Sequence, residues 1–119
     1  EESAADSGEG WLAVTYMDLI EEMEALGFPC VYHSFKDPPP LPYTIVVFTY
    51  NNDFIADNYN YQNIGNYQLE YYNSKKYSPD EEKIEGKLKE LGLAYNKSEA
   101  YIESEGLRQI IYEIQLLGG

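Results

Sequence analysis

Two helical patterns, one near the N-terminus and one beyond the middle, are separated by three strand-like segments, and this constrains the 119-residue chain most. A parallel sheet needs a crossover between successive strands, so three strands in a row without a helix cannot make one throughout. The pattern predicts an α+β fold. It is a two-layer sandwich, a mainly antiparallel sheet with two helices on one face, in the order α-β-β-β-α-β-β. At this length one core is expected, burying roughly two-thirds of the surface of the extended chain.

The elements are marked locally. Tyr16, Leu19, Ile20, Met23 and Leu26 recur at helical spacing. Thr15 can cap that helix with Asp18 three residues on, and Gly27 and Pro29 supply a stop. Cys30 to Ser34 reads as a short strand, and Asp37 to Pro42, DPPPLP, as a stiff connector with few backbone donors. Tyr43 to Tyr50, YTIVVFTY, is apolar almost throughout and β-branched, which predicts the central strand, covered on both faces. Residues 51 to 65 combine turn formers with aromatics and predict a long loop or hairpin tip. From Asn66 the pattern alternates, with Tyr67, Leu69 and Tyr71 on one face and Gln68, Glu70 and Tyr72 on the other. Ser78-Pro79-Asp80-Glu81 predicts a capping box, Ile84, Leu88 and Leu91 form the stripe of the second helix, and Gly92 ends it. A short strand over Leu93 to Asn96 is expected next, then an irregular acidic stretch to Gly106. Ile110, Tyr112, Ile114 and Leu116 share a face of the last strand. The face of the sheet away from the helices then carries Gln68, Glu70, Tyr72, Glu113 and Gln115. That mixture is neither core-like nor plainly solvated, which suits a contact surface.

Charge narrows the classes of function. Lys and Arg total 8 against 21 acids, a formal net charge of -13, which opposes a grip on nucleic acid or an anionic membrane. Residues 1 to 27 hold Glu1, Glu2, Asp6, Glu9, Asp18, Glu21, Glu22 and Glu24 and no base. The opening residues have nothing to bury, so residues 1–13 are expected to be a disordered acidic leader or an appended segment, and 14–119 a single domain. No run is long and apolar enough for a membrane-spanning helix. One cysteine, Cys30, allows no intramolecular disulfide.

Signs of catalysis are sparse. Cys30 and His33 lie three apart, which on a strand places them on opposite sides, so a small core residue and an ordinary polar one are the favoured assignments. Asp53 and Asp57 sit among Asn residues but lack the Gly and terminal Glu of a calcium loop, and serve better as turn formers. No glycine-rich phosphate loop is present. No catalytic residue, cofactor or metal site is expected. Tyrosine is the telling excess, 13 residues against four Phe and one Trp. Rigid aromatic rings with a hydroxyl tip suit protein contacts, and the candidate interface residues are Phe54, Ile55, Tyr59, Tyr61, Tyr71 and Tyr72.

Several strings carry a resemblance: TYMDLI at 15–20, LGFP at 26–29, VYH at 31–33, PPPLPY at 38–43, NDFIADN at 52–58 and YIESE at 101–105. Together they resemble small proteins from the head-tail joining region of tailed phages and prophages of Gram-positive bacteria, of tail-terminator type, over about residues 14 to 117. The resemblance implies a non-enzymatic virion assembly protein at the head-tail junction, assembled in the bacterial host cytoplasm. It implies a small α+β domain that forms a homo-oligomeric ring, typically a hexamer, on the end of the tail tube. The partners implied are further copies of itself, the major tail tube protein and the head connector. A heterologous ring needs two different patches per subunit, and the 51–65 loop and the mixed sheet face are the candidates. Two alternatives stay open: a neck or tail-completion protein of the same machinery, and an acidic DNA-mimic inhibitor of a host protein.

Overall fold

The computed structural model describes residues 14–51 and 64–117. Helix α1 spans Tyr16–Ala25, followed by strands β1 (Cys30–Tyr32), β2 (Tyr43–Asn51) and β3 (Ile64–Asn73), helix α2 (Ser78–Glu90), and strands β4 (Asn96–Ile102) and β5 (Leu107–Leu117). The strands make one five-stranded sheet in the order β1-β2-β3-β5-β4. β1 runs parallel to β2, and the other neighbours pair antiparallel. The α+β class and the order α-β-β-β-α-β-β are those expected. The leader, residues 1–13, and most of the 51–65 loop lie outside the described residues, and with them Asp53 and Asp57.

Both helices cover one face, because that is where the alternation of β3 and β5 puts the apolar side chains. Tyr67, Leu69 and Tyr71 stand opposite Ile114, Tyr112 and Ile110 in register. They join Leu19 and Met23 of α1 and Ile84 and Leu88 of α2 in a single buried cluster. Lys87 of α2 reaches Glu22 of α1 at 3.3 Å, tying the helices together across that face. The capping box of α1 forms as the sequence predicts: the Asp18 amide donates to Thr15 Oγ1 at 3.2 Å and the Thr15 amide to Asp18 Oδ2 at 3.1 Å. Gly27, at φ 104, terminates the helix in a conformation only glycine adopts without strain.

Four expectations are corrected. The apolar run Tyr43–Tyr50 lies in β2, second from the sheet edge, and β3 holds the centre. Burial of β2 on both faces has a local cause. Thr44 and Val46 lie under the helices, whereas Tyr43 is covered on the other face by Phe35 of the proline-rich connector, edge-on at 5.3 Å. Secondly, β1 is shorter than expected, stopping where His33 takes φ 79. Thirdly, the short strand expected over Leu93–Asn96 is replaced by β4 at Asn96–Ile102, within the stretch read as irregular. β4 carries no hydrophobic period because it is exposed at every position except its last, and it is held by pairing with β5 rather than by burial. Finally, the capping box at Ser78 does not form. Tyr77 is the N-cap residue and makes no side-chain cap bond, while Asp80 and Glu81 are drawn inward. Among the described residues, no helix is long and apolar enough to cross a membrane.

Candidate interaction surface

The inward acids of α2 explain what fixes that helix. Tyr71 donates from its hydroxyl to Asp80 Oδ2 at 2.5 Å and accepts from Asn73 Nδ2 at 2.9 Å. Glu81 Oε1 takes Lys97 Nζ at 2.8 Å and Lys76 Nζ at 3.1 Å, while its Oε2 is buried without a hydrogen-bond partner. Lys97 also reaches Glu85 Oε2 at 2.7 Å, and the same oxygen accepts from the Tyr112 hydroxyl at 2.8 Å. Lys76 pairs in addition with Glu99 of β4. Burial alone would raise the Glu81 carboxyl, but the two lysines hold it below the ordinary carboxylate range. Burial pushes the Tyr71 and Tyr112 hydroxyls well up, and their carboxylate partners add to it. The network locks α2 onto β3, β4 and β5 and leaves the opposite face of the sheet free of helices.

That opposite face is the candidate surface. The register places Ile45, Glu70, Ile111 and Ser98 in one row across four strands, and Val47, Gln68, Glu113 and Asn96 in the next. Tyr72 is its hub. Its ring stacks on Tyr43 at 5.2 Å, its hydroxyl donates to Glu70 Oε1 at 2.8 Å, and it accepts from Gln109 Nε2 at 2.7 Å. Burial and the Glu70 hydrogen bond push this hydroxyl well above an ordinary tyrosine, so it stays a neutral donor. Further along, Gln115 Nε2 donates to Asn66 Oδ1 at 3.3 Å. A cleft of about 630 Å³ lies at this end of the sheet, lined by residues of both faces, Gln68 and Gln115 on the open side and Tyr67, Ile114 and the 92–96 segment on the helix side. The face therefore combines a rigid aromatic pair, amides able to donate and accept, and two carboxylates. Such a surface has the chemistry for directional contacts.

The expected interface residues fall into three groups. Tyr72 lies on the open face. Tyr71, its neighbour, is 1% exposed and belongs to the core, because alternation on a strand sends successive side chains to opposite faces. Its hydroxyl is committed to Asp80, so it presents nothing to a partner. Phe54, Ile55, Tyr59 and Tyr61 lie outside the described residues. Sequence reasoning missed Tyr43 and Gln109. Gln109 was legible, since it shares the period-two face of Glu113 and Gln115, whereas Tyr43 was hidden in an apolar run. Cys30 is buried and its thiol is pushed up to about 11, chiefly by desolvation, while His33 is exposed on the turn after β1. Comparison of the chain with protein-family models and with curated proteins gives no match.

Proposed function

We propose that the chain is a non-enzymatic structural subunit of the head-tail junction of a tailed phage or prophage, acting as a tail terminator. Copies assemble as a ring on the end of the tail tube, stop its growth and join it to the head connector. The observation that carries this is the helix-free sheet face that runs from Tyr72 past Gln68 to Gln115. Both helices lie on the other side, so beyond the Tyr43 end, where Phe35 of the connector packs, the domain offers a pre-organised surface of half-buried and exposed side chains. The head-tail resemblance of the sequence points the same way. The net charge of -13 suits a protein beside a channel through which DNA passes without sticking.

The test is electron microscopy of the full chain mixed with tail tubes of the tube protein encoded beside it. Rings capping tube ends, with tube growth arrested, are expected. Bare ends at saturating protein would refute the proposal, and binding to the connector alone would reassign the chain to neck completion.

A further inference from the structure

β4 ends the sheet order, and among the described residues no strand pairs with its outer edge. Asn96–Ile102 contains no proline, and its pairing with β5 runs without a bulge. Its one lysine does not guard the edge. Lys97 Nζ is drawn to the helix side, 2.8 Å from Glu81 and 2.7 Å from Glu85. On the open face the strand shows Asn96, Ser98 and Ala100, small and uncharged, and then Ile102 at its end.

The order of residues along this strand says what fits it. Lys97, Ser98 and Glu99 form a charge palindrome about Ser98. If two copies of β4 lie antiparallel with Ser98 opposite Ser98, each Lys97 faces the Glu99 of the other copy, and Asn96 faces Ala100. The same register brings Tyr101, 55% exposed, opposite Tyr95 of the second copy. Moving the centre to Glu99 would set two carboxylates against each other. We infer that β4 is a self-pairing edge, through which two copies of this chain join antiparallel about a two-fold axis at Ser98, making one ten-stranded sheet. Backbone hydrogen bonds supply the attraction, and the register is set on the helix side, where Lys97 keeps Glu81 and Glu85 and has a third N–H for Glu99 of the other copy. The contact is isologous, so it is distinct from the heterologous contacts of a ring and stands independently of the tail-terminator proposal.

Cysteine substitutions test the register in the full chain, because Cys30 is buried and its raised thiol does not compete. Under mild oxidation Ser98→Cys should form a disulfide-linked dimer. Ala100→Cys should not link to itself but should link to Asn96→Cys when the two are mixed. Glu99→Lys, which loses only the exposed pair with Lys76, sets lysines opposite lysines. It should weaken the dimer about tenfold or more by sedimentation across a concentration series. Failure of Ser98→Cys to link, or equal linking by all three variants, overturns the inference. Rings on tubes without Ser98→Cys linking would overturn the strand pairing and leave the tail-terminator proposal standing. Register-specific linking with bare tubes would do the reverse.

Discussion

At Tyr71 and Tyr72 the chain places the same side chain in two different surroundings, and the hydroxyls do different work. Tyr71→Phe leaves the buried Asp80 carboxylate without its donor, which should cost about 1–3 kcal/mol in denaturant unfolding. Tyr72→Phe, on the open face, should cost less. The hydroxyls of Tyr43, Tyr67, Tyr71, Tyr72 and Tyr112 are all raised, with burial the first cause in each. A tyrosine held protonated in the folded state stabilises it below the unfolded value, roughly 10, and that stability is lost as pH rises further. A titration followed by phenolate absorbance should therefore show these five hydroxyls ionising above the ordinary tyrosine range, the most deeply buried only as the chain unfolds. Glu81 works in the opposite sense. Its carboxyl is held low, so its contribution is present above the unfolded carboxylate value, roughly 4.3, and is lost as pH falls below it. Glu81→Gln should flatten the acid limb of a plot of stability against pH. The alternation of β3 announced which of the two tyrosines faced which way. What it did not announce was Asp80, a helix-start acid that turns inward and takes the Tyr71 hydroxyl.

Among the elements, two helix starts that look alike in sequence behave differently. Thr15 and Asp18 close a reciprocal capping box, whereas Ser78 caps nothing because Asp80 and Glu81 are taken by Tyr71 and by the lysines. Thr15→Ala should cost about 1 kcal/mol by thermal or chemical unfolding, and Ser78→Ala close to none. The same tertiary competition explains what was legible. α1, α2, β3 and β5 carry their own hydrophobic period, so their type and core face were readable. β4 has no such period, and its existence depends on the edge of β5, a partner distant from any local pattern. The central position of β3 was obscured for a related reason: the run in β2 is buried on its second face by Phe35 and the connector, which mimics a central strand.

For the whole molecule, the two helices and the ion network crowd one side of the sheet and leave the other as a helix-free surface from Tyr72 to Gln115. An assembling subunit needs a surface of this kind, and the central claim is that this face carries the contacts of the ring. Gln68 sits in the middle of the face, between Val47 and Glu113, away from the core. Gln68→Arg places a bulky cation there, with Glu113 at hand to balance it, so the fold should persist. The direct measurement is tube capping by this variant beside the unaltered chain, in electron micrographs, with unfolding midpoints recorded for both. Rings on tube ends are expected with the unaltered chain, and bare ends with Gln68→Arg at an unchanged midpoint. Equal capping by the two proteins would contradict the central claim.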